Sequence, residues 1–72
     1  MILPKLFKNI LEKYPEFKES NDGTIVTLTN KTLGIFITYN SKTKRYYFQD
    51  NINKISIDTQ NENYIKWPKF TT

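Results

Sequence analysis

Residues 43–50, TKRYYFQD, set the chain's only arginine directly before three consecutive aromatics. Two kinds of chemistry use such a stretch. Aromatic rings and a guanidinium beside lysines can stack and neutralise single-stranded nucleic acid. The same side chains, ringed by threonines and an amide, can anchor a protein partner. Which of these applies depends on which rings point into a core, and that is a question about strands.

Other chemistries have little to work with. The 72 residues include no cysteine and no histidine, which removes thiol nucleophiles, thiolate metal sites and imidazole bases together. Ser20, Ser41 and Ser56 have no identifiable base. Glu12, Glu16 and Glu19 read as a solvated helix face. Asp50 and Asp58 could approach across a turn, but two carboxylates make neither a metal site nor an acid–base pair on their own. With glycine only at positions 23 and 34, no phosphate loop can be built. The expectation is therefore no catalytic residue, no metal and no cofactor.

Eleven Lys+Arg against seven Asp+Glu give a net charge of +4, and all but one of the basic residues are lysine. Lysine, asparagine and isoleucine abound while alanine is absent, the codon signature of an AT-rich genome such as that of a low-GC bacterium, its phages or plasmids. That bias explains most of the lysine excess. The modest positive charge favours polyanions only weakly. Residues 1–11 are broken by Lys5, Lys8 and Asn9 and lack a cleavage site, so they do not read as a signal peptide. No apolar run approaches the roughly 20 residues of a membrane span. A cytoplasmic protein without membrane contact is expected.

The elements that must position the aromatics follow from periodicity. Pro4 suits a helix start, and Leu3, Leu6, Phe7, Ile10, Leu11 and Tyr14 recur at three- and four-residue spacing. Pro15 disfavours helical geometry at Tyr14, so the helix is expected over residues 4–13. Residues 15–18 would add one further turn, with Phe17 capping the core. Asn21, Asp22 and Gly23 signal a turn. Strands are expected over residues 24–29, 33–39, 44–49 and 55–58, with an edge strand over 64–67 closed by Pro68. No internal repeat is expected. The fold class is α+β, one N-terminal amphipathic helix on one face of an antiparallel meander of three to five strands, in a single domain. Its helix-then-meander order is similar to that of double-stranded-RNA-binding domains. Those need a second helix with a basic start, and residues 51–63 do not show its pattern.

Closing the first hairpin on Asn30 and Lys31 sets Leu28 opposite Leu33 and Val26 opposite Ile35. Closing the second on residues 40–43 sets Ile37 opposite Tyr46 and Ile35 opposite Phe48. Tyr46 and Phe48 then enter the core. Arg45, Tyr47 and Gln49 turn to the opposite face with Thr38, Phe36 and Ile25. In this register Ile25, Phe36 and Tyr47 form one row, and Arg45 lies opposite Thr38. One helix covers one face, so the row is open, covered by the tail through Ile65 and Trp67, or bound to a partner.

The partner-binding candidates are thus Ile25, Phe36, Thr38, Arg45, Tyr47, Gln49 and Trp67, and the nucleic-acid candidates are Lys42, Lys44 and Arg45. The stretch lacks the glycine–aromatic spacing of the RRM signature, and no KH loop or helix-turn-helix is present. The favoured expectation is a non-enzymatic protein of a phage or mobile element. It would occupy and inhibit a host nucleic-acid-processing or defence machine by protein contact. Single-stranded nucleic-acid binding by the same face is the alternative, and a homodimer burying that face is the third.

Overall fold

Pro4 opens the helix because a residue without an N–H loses nothing in a first turn. In the computed structural model of the chain, which describes residues 3–65, the Pro4 carbonyl accepts from the N–H of Phe7 (3.0 Å) and Lys8 (3.1 Å). Helix α1 runs Lys5–Lys13. It ends where Pro15 forces Tyr14 out of helical geometry, at φ −133°, although the Tyr14 N–H still reaches the Ile10 carbonyl at 2.8 Å. Phe7 and Ile10 are buried, and Leu3, Leu6, Leu11 and Tyr14 pack against the same core. Each buried side chain of this kind contributes about 1.5–3 kcal/mol.

Five antiparallel strands follow: β1 (Lys18–Asn21), β2 (Ile25–Asn30), β3 (Ile35–Asn40), β4 (Arg45–Asp50) and β5 (Ile55–Thr59), hydrogen-bonded in chain order. A 3-10 turn at Glu62–Tyr64 comes next. Val26, Leu28, Ile35, Ile37, Tyr46 and Phe48 form the inner face with Phe17 and Ile65. The helix lies on that face, its Phe7 ring meeting Tyr46 edge-on at 6.3 Å between centroids. The protein is α+β, one helix on one face of an antiparallel meander.

Three expectations need correction. The hairpin registers differ: Leu28 pairs with Ile37 and Val26 with Tyr39, while Ile37 pairs with Phe48 and Tyr39 with Tyr46. The first hairpin is shifted by four residues and the second by two, because residues 31–34 and 41–44 form loops in which positions 34 and 44 close the turn. Both shifts are even, and side chains alternate with a period of two, so the inner and outer sets survive. Next, residues 15–18 do not make a further helical turn. Pro15 and Glu16 turn the chain, and Lys18 already begins β1. Phe17 is nonetheless buried, against Tyr14. Lastly, Tyr64 sits in the 3-10 turn rather than in an edge strand. Ile65 follows as the cap of that turn and is buried with the inner-face core, and residues 66 and 67 of the expected strand, Trp67 included, lie outside the described residues.

A repeat also emerges that was not expected. Asn30, Asn40 and Asp50 stand ten residues apart, each at the last position of a strand and each followed by a four-residue turn. Asn30 Oδ1 accepts from Leu33 N (3.0 Å), Asn40 Oδ1 from Lys42 N (2.9 Å), and Asp50 Oδ1 from Ile52 N and Asn53 N (both 3.0 Å). Each turn closes on a residue with positive φ: Gly34 at 69°, Lys44 at 61° and Lys54 at 57°. One turn, used three times, sets every register from β2 to β5.

Candidate interaction face

The outer face is assembled by that register. Across β1 to β5 one row reads Lys18, Thr29, Phe36, Gln49 and Ser56, and the next reads Ser20, Thr27, Thr38, Tyr47 and Asp58. None of these side chains is buried. Phe36 and Tyr47 therefore sit on neighbouring strands in adjacent rows, diagonal to one another. Their rings meet edge-on at 6.3 Å between centroids and 68° between planes, a favourable geometry for an aromatic pair.

Several expected neighbours are elsewhere. Ile25 pairs with Asn40 at the far end of β2, four positions from the Thr29 that faces Phe36. At roughly 3.3 Å per residue that is about 13 Å, so no continuous Ile25–Phe36–Tyr47 row exists. Arg45 pairs with Asn40 rather than Thr38, and Thr38 lies opposite Tyr47. Thr38, Tyr47, Phe36 and Gln49 do come together.

The arginine is not free for phosphate. Its Nε donates to Asp58 Oδ1 at 2.8 Å, with both side chains about half exposed (47% and 62%). An exposed pair of this kind contributes only about 0–1 kcal/mol, yet any polyanion binding there would have to displace a carboxylate. Lys42 and Lys44 are exposed in the β3–β4 turn, beside Arg45 in the chain and away from the Phe36–Gln49 row.

Polar side chains continue the face toward the β4–β5 turn. Tyr47 Oη donates to Gln49 Oε1 at 3.1 Å, and Gln49 Nε2 donates to Asn51 Oδ1. Two shallow hollows meet at Asn51. One, of about 280 Å³, is lined by Tyr47, Gln49, Lys54, Ile55 and Ser56. The other, of about 330 Å³, is lined by Thr29, Lys31, Gly34 and Phe36. The centre of the face is thus Phe36, Tyr47, Gln49 and Asn51. Sequence reasoning missed Asn51, Ser56 and Asp58 here. The ten-residue spacing of Asn30, Asn40 and Asp50 was the signal that could have fixed the register and found them.

The Tyr46 hydroxyl and the Asp22 carboxyl have perturbed environments, and neither belongs to the outer face. Burial pushes the Tyr46 hydroxyl up to about 12, reinforced by the Glu62 carboxylate to which it donates at 3.2 Å. The Ile25 and Thr24 N–H groups, at 2.8 and 2.9 Å, hold the Asp22 carboxyl below the usual carboxylate range. Among the described residues there is no group of three or more acidic side chains that could hold a metal, and no helix long and apolar enough to cross a membrane. No protein-family model matches the chain, and no curated protein or solved structure matches it either.

Proposed function

We propose that this chain is a non-enzymatic binding module whose outer sheet face docks on a protein partner. One observation carries the reading: a half-buried Phe36–Tyr47 pair, framed by Thr29, Thr38 and Gln49 between two shallow hollows, on a face none of whose strand side chains is buried. Aromatic anchors with a polar surround are what protein interfaces use. The Arg45–Asp58 ion pair favours a protein over a nucleic acid, because the one guanidinium already holds a carboxylate.

The biological setting we propose rests on composition. An AT-rich codon signature and a small chain without thiols or imidazoles suit a cytoplasmic protein of a phage or mobile element that occupies a surface of a host machine. The class of partner is tested by titrating single-stranded DNA and RNA at physiological salt beside capture from host lysate with and without nuclease. Nuclease-resistant capture, with no oligonucleotide affinity, supports the reading. Micromolar or tighter oligonucleotide binding that is lost in Tyr47→Ala and falls steeply with salt overturns it in favour of base stacking.

A further inference from the structure

The two edges of the sheet are unequally protected. β1 is only four residues long, fully exposed, and turns the charged Glu19 toward the inner side. Short edge strands and inward-pointing charges are devices that discourage pairing with another chain. β5 has neither. Its five residues, ISIDT, contain no lysine, proline or glycine, and its inward side chains Ile55 and Ile57 are only half-buried.

The hydrogen-bond phase of that edge follows from the rest of the ladder. Ser41 N donates to the Thr24 carbonyl (2.9 Å) and Asn51 N to the Gly34 carbonyl (2.8 Å), extending the β2–β3 and β3–β4 ladders by one pair each. Since directly opposed residues alternate between bonded and non-bonded pairs, odd-numbered residues of β3 face β2 and even-numbered ones face β4. In β4, residues 46, 48 and 50 then face β5, where they pair with Thr59, Ile57 and Ile55. The main-chain groups of Ser56 and Asp58 consequently point away from β4, and no described strand lies beyond them.

We infer that this edge pairs with β5 of a second copy of the chain, antiparallel about a two-fold axis at Ile57. Ser56 of each copy then exchanges two main-chain hydrogen bonds with Asp58 of the other. The two Ile57 side chains meet at the close, non-bonded position, and Ile55 lies opposite Thr59. Residues of equal parity face one another, so both helices fall on one side of a ten-stranded sheet and both aromatic faces on the other. Each Asp58 stands opposite a serine, not the other Asp58, and each is already neutralised by Arg45 of its own copy. An interface confined to a strand edge is small, so the dimer is weak and its fraction rises with concentration.

The test is sedimentation over a wide concentration range, together with amide hydrogen exchange on the parent. A concentration-dependent dimer in which the Ser56 and Asp58 amides become protected is the expected result. Ser56→Pro removes an outward N–H without touching the β4 ladder; it alters one rim position of the outer face but leaves the Phe36–Tyr47 ring pair in place. It should weaken association at least about tenfold, the equivalent of one or two lost hydrogen bonds. If that variant does not fold, exchange on the parent still decides. A monomer at every concentration overturns the inference. So does a dimer whose Ser56 and Asp58 amides exchange freely and which Phe36→Lys dissolves, since such a dimer is held by the aromatic face.

Discussion

Gly34 and Lys44 occupy equivalent turn positions with nearly the same backbone angle, and they should respond oppositely to exchange. Gly34 has φ 69°, and a methyl group placed there would lie 3.0 Å from Ile52 Cγ1. Gly34→Ala therefore combines the cost of left-handed geometry, about 1–2 kcal/mol, with a tight contact to which the exposed Ile52 side chain must give way. In a chain this small, each 1 kcal/mol shifts the melting temperature by about 4–8 °C, so the variant should melt measurably lower. Lys44→Gly relieves the same strain at φ 61° but gives the unfolded chain more freedom, about 0.5–1 kcal/mol. Its melt should stay within a few degrees of the parent or rise. Tyr46 supplies a pH dependence. Its hydroxyl titrates near 10 unfolded and near 12 folded, so the folded state retains the proton longer. That stabilisation is fully present below pH 10 and is lost as pH rises toward 12. Denaturant titrations should show Tyr46→Phe less stable than the parent at pH 7, by about 0.5–1.5 kcal/mol for the bond to Glu62, with the gap closing above pH 10.

At the scale of elements, what was legible depended on where the burial signal was. Helix α1 was readable because its apolar residues fall at helical spacing and Pro15 ends it. Strands β2 to β4 were readable because Val26, Leu28, Ile35, Ile37, Tyr46 and Phe48 alternate with outward residues. β1 carries no such signal: KESN is exposed at every position and is held by the main-chain ladder to β2. The hairpin registers were not readable from apolar alternation, since any even shift sorts faces equally well. They are set by the turns, where Asn30, Asn40 and Asp50 bond their own loops. Asp50 is the most committed of the three, being buried and also accepting from Asn53 Nδ2 at 2.8 Å. Asp50→Ala should cost about 1–3 kcal/mol in chemical denaturation. The exposed Asp22 loop is a separate acid-sensitive feature: its depressed carboxyl stabilises the fold above the usual carboxylate range and ceases to do so as pH falls through its folded value.

For the whole molecule, one helix and one sheet make a single two-layer core, and the stability of so small a domain rests on few side chains. Ile37 and Phe48 are directly paired at its centre, 0% and 3% exposed. Ile37→Ala should cost about 2–5 kcal/mol, enough to unfold much of a marginal domain, and a melt unchanged from the parent would refute the assigned inner face. The outer face should behave differently, because Phe36 and Tyr47 are half-buried and contribute chiefly cross-strand contact of about 0.2–1 kcal/mol. Removing either ring should leave the domain folded while removing an anchor. The candidate site was legible as a set of types, aromatics plus arginine on one face, but its centre was not, because Asn51 and Ser56 join only in the true register.

The most direct measurement is partner capture from host lysate by the parent, Tyr47→Ala and Lys8→Ala, each shown folded by circular dichroism. Tyr47 lies on the outer face and Lys8 is exposed on the helix, on the opposite side of the sheet. An outer-face interface requires that the nuclease-resistant partner be retained by Lys8→Ala and reduced at least about tenfold by Tyr47→Ala, the loss expected for an aromatic anchor. Undiminished capture by folded Tyr47→Ala, with loss in Lys8→Ala, would place the interface on the helix and contradict it.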